Sequence, residues 1–188
     1  MEGSLIPHDL WNSSDEELVV IHRLNNIVRY NTRNKINPET VAAHSFFASY
    51  FVISICKQFS IPDDIKLMAL ESAVVHDVPE VFINDITYDC KNLVKGISEL
   101  LEGYEQEIIS KVSWIAQKVL FNPDTPALKL ARAIVIYADT LSVKQYALSE
   151  VELGNKLFIE INAEADRRIE RCVANLREEL CNYISHIS

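Results

Sequence analysis

The sequence predicts an all-α protein, and three observations carry that expectation. With only four Gly and six Pro in 188 residues, the chain is poor in the turn chemistry that an all-β fold requires. Few segments alternate apolar and polar residues, whereas several long ones repeat apolar residues at steps of three or four. The length suits one domain whose core needs neither disulfides nor structural zinc.

The elements follow in order. Residues 1–12 read as an N-terminal arm, with Trp11 tucked onto the domain that occupies 13–188. Ser13 to Tyr30 is the first predicted helix: Ser13 with Glu16 and Ser14 with Glu17 fit capping boxes, and Leu18, Ile21, Leu24 and Val28 form a stripe. It delivers Arg29 at its end. Asn31 to Asn37 is polar and turn-rich, and Arg29, Arg33 and Lys35 gather positive charge there, as a solvated loop or as an anion site. Asn37 is the expected N-cap of the second helix, with Pro38 at its first position and a buried stripe through Val41, His44, Ala48, Phe51, Ile55 and Phe59.

Ile61-Pro-Asp-Asp64 separates this helix from a third, which carries Ile65, Met68, Ala69, Ser72 and His76 on one face. A short turn then bears Glu80, and Asn84-Asp85 breaks it. Lys91 to Leu101 reads as a weak helix and Tyr104 to Phe121 as a stronger one, with Ile108, Val112, Ile115 and Val119 inward. After the Asn122 to Pro126 linker, Ala127 to Leu153 is the most apolar helix, ended by Gly154. Leu157 to Ile187 is a long amphipathic helix with Ile161, Ile169, Val173, Leu176, Leu180 and Ile184 on one side, suited to core packing and to an oligomer seam.

A formal charge of −9 argues against nonspecific coating of nucleic acid, which relies on basic surface to displace counterions. A small phosphorylated ligand needs only local positive charge and is left open. Cys56, Cys90, Cys172 and Cys181 lack zinc-site spacing and read as reduced thiols. The first residues lack the features of a signal peptide, and no apolar run is long enough to span a bilayer. A cytoplasmic protein is expected.

Chemistry concentrates in His76-Asp77, which follows apolar Val74 and Val75 and precedes Val78. An unpaired carboxylate buried there would cost several kcal/mol, so Asp77 calls for water or a cation. Alone, the pair is better explained by a helix-end histidine and a cap. Two distant residues alter that balance. His44 lies on an apolar face of the preceding, antiparallel helix, where the two histidines could meet. Asp139 interrupts Ala-Ile-Val-Ile-Tyr-Ala-Asp-Thr-Leu, and neither Arg132 nor Lys144 stands three or four residues away to pair with it. His44, His76, Asp77 and Asp139 form a mixed nitrogen and oxygen set for one divalent transition metal, Co, Mn, Fe, Ni or Zn, with positions left for water.

The order His, His-Asp, Asp on a helical chain resembles the HD-domain phosphohydrolases, and within them the compact bacterial 5′-deoxynucleotidases and related phage enzymes that remove triphosphate from dATP. The resemblance rests on Arg29-Tyr-Asn-Thr-Arg33, Glu39-Thr-Val-Ala-Ala-His-Ser45, His76-Asp-Val-Pro-Glu-Val81, Asn84-Asp-Ile-Thr87, Ala138-Asp-Thr-Leu141 and Glu150-Val-Glu-Leu-Gly-Asn155. It implies a helical bundle with the metal between helices, the four ligands named above, Glu80 orienting or protonating water, Asp85 near the sugar and scissile phosphate, and Arg29 on the phosphate. Tyr30 stands where these enzymes often have Trp. Asp85-Ile-Thr-Tyr-Asp-Cys-Lys91 stands where they commonly read Asp-Leu-Pro-Thr-Pro-Val-Lys, so the substrate contacts here differ.

What the resemblance implies is hydrolysis of the 5′-phosphate ester of a deoxynucleoside monophosphate. The alternative is a dATP triphosphohydrolase whose Arg33, Lys35, Lys91 or Lys95 grips the outer phosphates. A nucleotide-binding regulator without turnover and a purely structural helical protein are the remaining readings. The expected partner is a deoxynucleotide, with no nucleic-acid polymer and no membrane, in a homo-oligomer of two or more chains.

Overall fold

The computed structural model describes residues 19–86 and 96–187, so the N-terminal arm with Trp11, and Cys90, Lys91 and Lys95, lie outside the described residues. Among the described residues the architecture is helical, and its one β-type pairing is an isolated antiparallel bridge between Val28 and Thr40. The main helices are α1 (Val41–Phe59), α2 (Asp63–Val75), the single turn α3 (Glu80–Ile83), α4 (Ile97–Val112), α5 (Trp114–Phe121), α6 (Pro126–Glu152) and α7 (Ile159–Ile187). The long α6 is the hub, packing against α1, α2, α5 and α7.

Two helix boundaries differ from expectation, and both differences place functional residues. The predicted helix to Tyr30 closes in a 3₁₀ turn, Arg23–Asn26, and Ile27 is already extended. Val41 N–H bonds Ile27 O and Arg29 N–H bonds Glu39 O, so these residues follow the strand-like bridge in place of a helix. Arg29 is therefore carried on the bend that follows the bridge, not on a helix. The second helix begins at Val41, not after Asn37, because Thr40 is the true cap, its hydroxyl accepting from Ala43 N–H. Pro38 and Glu39 belong to the approach.

A third difference concerns the 91–121 region. One helix runs through Gly103 to Val112, and the break comes at Ser113, an extended residue whose hydroxyl caps α5 by accepting from Ala116 N–H and donates to the Glu71 carboxylate. Elsewhere the expected punctuation holds. Ser60 ends α1 in the left-handed region, Asp63 and Asp64 occupy the positive end of α2, Thr125 and Pro126 start α6, and Gly154, at φ +94°, follows its end.

Three apolar clusters set the site's place. The largest joins Val52, Ile55, Ile65, Ala69, Ala73, Ile134, Ala138 and Leu176. A second joins Leu24, Ile27, Val41, Val78, Ile108 and Ala116. His44 lies on α1 between Val41 of the second cluster and Val52 of the first, and His76-Asp77 lies between Ala73 of the first and Val78 of the second. The chemistry-bearing residues thus occupy the seam where two cores meet, on helices fixed from both sides. A third cluster, Tyr146, Ala147 and Phe158, receives Tyr30. None of the helices among the described residues is long and apolar enough to cross a membrane.

Candidate active site

His44, one turn into α1, is fully buried, and its ring centroid lies 5.4 Å from that of His76 at the end of α2. The two histidines therefore meet. His44 Nε2 is 3.1 Å from Asp139 Oδ1 and 3.6 Å from Asp77 Oδ2, while His76 Nε2 is 3.2 Å from the same Asp77 oxygen. Ligand atoms of His44, His76 and Asp139 all lie within 4.8 Å of one another. Asp139 is less buried than its apolar neighbourhood suggests, its side chain being 28% exposed, and it opens the cluster to solvent. Lys144, weighed as its ion-pair partner, instead engages Asp166 on α7.

The imidazoles show what this cluster could hold. His76 Nδ1 lies 2.8 Å from Ala73 O, which fixes the proton there and leaves the Nε2 lone pair facing Asp77 and Asp139. Both Nε2 atoms are buried without a hydrogen bond of acceptable geometry. Two lone pairs and two carboxylates aimed at one point repel each other unless a positive charge sits between them. In the protein alone His76 takes up part of that role: burial lowers its pKa, but Asp77 and Asp139 outweigh this and raise it to about 9. Burial opposes ionisation of Asp77 and Asp139, yet His76, His44 and Arg29 hold both carboxyls well below the usual range. A divalent cation on these four side chains would replace the shared proton, and the donor set fits a mid-row transition metal.

Glu80 opens α3 directly after this cluster. Burial, with Asp77 and Asp85 nearby, pushes its carboxyl up to about 9, and its Oε2 is buried without a partner. A neutral carboxyl at neutral pH can donate a proton as well as accept one. Asp85 lies one residue past Asn84, which holds φ +59°, and its Oδ2 accepts from Tyr30 N–H at 2.6 Å. Tyr30 itself holds φ +55°, so two left-handed residues flank this contact.

Arg29 bonds the buried Glu39 carboxylate at 3.1 Å and comes within 2.5 Å of His44 Nδ1, which also faces Ser142 Oγ at 2.9 Å. Burial disfavours the guanidinium charge, but Tyr30, Asp77, Asp139 and Glu39 keep its pKa above the usual value. The Tyr30 ring stacks on Tyr146 at 5.6 Å and sits edge-on to Phe158 at 5.3 Å, with the Arg29 guanidinium 5.5 Å from its centroid. Arg33 lines a surface cavity of about 390 Å³ with Thr32, Asn34 and Leu157, apart from the ligand cluster.

The model of the YfbR-like 5′-deoxynucleotidases matches residues 18–187. The chain belongs to that family. Among solved structures it resembles a conserved hypothetical protein from Pyrococcus furiosus (22% identity, 88% of this chain and 95% of that one, TM-score 0.70). It also resembles an HD-domain phosphohydrolase from Listeria innocua (22% identity, 92% and 88%, TM-score 0.65). A third is the cyanophage S-2L HD phosphohydrolase bound to dA and one catalytic Zn²⁺ (20% identity, 90% and 94%, TM-score 0.63). At these identities the solved structures establish the shared fold. None of the curated protein sequences matches the chain. Membership in the YfbR-like family makes the protein a metal-dependent phosphoric ester hydrolase acting on deoxynucleotides.

Sequence reasoning missed four participants of this YfbR-like site. Ser142 follows Asp139 by three residues on α6 and so shares its face, a signal that was available. Glu39 opened a stretch that carried the resemblance but was given no role in the site, and its pairing with Arg29 accompanies the bridge between Val28 and Thr40. Arg168, on the helix assigned to packing, reaches within 3.9 Å of Asp139 Oδ2. Glu150, inside a stretch that carried the resemblance, is fully buried against the loop after Tyr30.

Proposed function

We propose that the protein is a 5′-deoxynucleotidase that hydrolyses deoxynucleoside monophosphates, with His44, His76, Asp77 and Asp139 holding one divalent metal, Co, Mn, Fe, Ni or Zn. The observation that carries this reading is the pair of buried, unpartnered Nε2 atoms facing two carboxylates. A metal bound there would acidify water and polarise a phosphoryl oxygen.

The chain's own groups supply the rest. For His44 to offer Nε2, its Nδ1 must carry the proton and donate to Ser142 Oγ. Arg29 cannot then donate to Nδ1, so one guanidinium N–H is released while Glu39 retains another. That freed donor is suited to a phosphate oxygen in a site already charged to favour it. Glu80, buried beside the cluster with Oε2 unpartnered, is placed to carry a proton to the leaving 5′ oxygen. Asp85, with Oδ2 committed to Tyr30 N–H, keeps Oδ1 for a sugar hydroxyl. Tyr30, packed into its aromatic cluster, shapes the pocket from behind.

Triphosphate release from dATP is the second reading, supported by Lys35, whose Nζ donates to Tyr30 O at 2.7 Å and so brings a second positive charge next to Arg29. A panel of deoxy- and ribonucleotides tests both: orthophosphate released from monophosphates supports the first, tripolyphosphate from dATP the second, and no product with any metal contradicts both. Self-association, as a dimer or larger, is supported by exposed Phe46, Tyr50 and Ile53 along one face of α1 and by exposed Ile184 and Ile187 at the end of α7. Light scattering measures it directly.

A further inference from the structure

Glu150 presents a problem that the proposed reaction does not solve. It is a fully buried carboxylate in the last turn of α6, at the helix end where a negative charge is disfavoured. What it holds explains it. Asn37 N–H donates to Oε1 at 2.7 Å, Ile36 N–H to Oε2 at 2.9 Å, and the Asn155 side-chain amide to Oε2 at 2.6 Å. The same Asn155 amide donates to Asn34 O at 2.9 Å, and Tyr146 OH donates to Asn37 O at 3.0 Å. Burial alone would raise the Glu150 pKa, but these donors lower it, so the group they hold is the carboxylate.

The latch closes two residues before Glu39, the partner of Arg29. Tyr146 reaches both limbs of the loop, through its hydroxyl to Asn37 and through its ring to Tyr30. A shift of residues 36–37 therefore moves both the anchor of Arg29 and the residue that follows it.

We propose that Glu150 is a positioning residue for phosphate binding: it fixes residues 34–37 so that Glu39 holds Arg29 beside the ligand cluster. The inference rests on the reading of the substrate as a nucleotide phosphate. It assigns to the far end of α6 a control over KM that neither the ligands nor the acid–base groups provide.

Glu150→Gln tests it, because the variant keeps the shape but turns an NH₂ toward a backbone N–H. The expected result is a KM for dAMP raised by about tenfold or more, the scale of one weakened charge-assisted hydrogen bond to the phosphate, with kcat changed far less and metal content unchanged. Amides of Ile36 and Asn37 should exchange faster with solvent. In an Arg29→Ala background the same change should leave KM unaltered, since both act through one group. An equal rise in that background, or a lower melting temperature with wild-type KM, overturns the proposal. If Glu150→Gln does not fold, Asn155→Ala takes its place, with a smaller KM rise expected and an unaltered KM decisive against the latch. If the wild type hydrolyses no nucleotide, the functional reading fails on its own. Calorimetry of inorganic phosphate binding to metal-loaded protein then decides the latch: weaker binding in the variant supports it, and equal binding overturns it.

Discussion

The metal-ligand cluster and the loop of residues 27–39 lie side by side but are built in opposite ways. His44, His76 and Asp139 stand on or at the ends of helices packed between two apolar clusters, so their positions follow from helix periodicity and core burial. The loop is anchored differently: Ile27 and Tyr30 reach apolar clusters at one end, but Tyr30 is left-handed and three carboxylates, Glu39, Asp85 and Glu150, hold the rest through hydrogen bonds. The difference shows where the protein can change: the cluster is fixed by helix packing, whereas the loop beside it depends on a few hydrogen bonds that single substitutions can alter.

The largest expected effect breaks the cluster side. His76→Ala should lose the metal and lower hydrolysis by well over a hundredfold, more than the loss of any outer partner; elemental analysis and orthophosphate release check this together. Glu80→Gln comes next, with hydrolysis reduced about 10²- to 10⁴-fold and the metal retained, since only a proton carrier is removed. A variant that also loses metal would make Glu80 a ligand in place of an acid.

On the loop side, Glu39→Gln should act on KM more than on kcat by loosening Arg29, and should leave metal content unchanged. Smaller still, Ser142→Ala should weaken metal affinity about tenfold by freeing His44 Nδ1, measured by competition with a chelator.

Acid stability sharpens the comparison from another direction. The Glu150 carboxyl is held below its ordinary value of 4.5 in the folded chain, so its contribution is fully present above that pH and is lost as the pH falls through the folded value. Wild type and Glu150→Gln should therefore differ in unfolding free energy at neutral pH and converge as the pH falls through the lowered folded value. A difference that is constant with pH would show that the carboxylate charge is not what stabilises the loop.

How much the sequence revealed follows the same division. His44 was placed by its step along an apolar helical face, and Asp139 by its intrusion into another, because helix periodicity carries information across the chain. The boundaries around Arg29 failed because Ser13 to Tyr30 has good caps and a good stripe, while the bridge from Val28 to Thr40 depends on a contact that local pattern does not encode. The break expected between Leu101 and Tyr104 lies at Ser113, since Gly103 in a helix costs only about 1 kcal/mol and tertiary packing overrides it. Glu150 was legible only as part of a resemblance. Its partners, the amides of Ile36 and Asn37, lie more than a hundred residues away and carry no side-chain signature.

The most direct test of the whole account is a titration of chelator-treated protein with Mn²⁺ or Co²⁺, followed by the rate of orthophosphate release from dAMP. The account predicts no turnover without metal, a rise that saturates at about one equivalent per chain, and no rise in His76→Ala. Turnover that survives chelation, or that persists in His76→Ala, would contradict it.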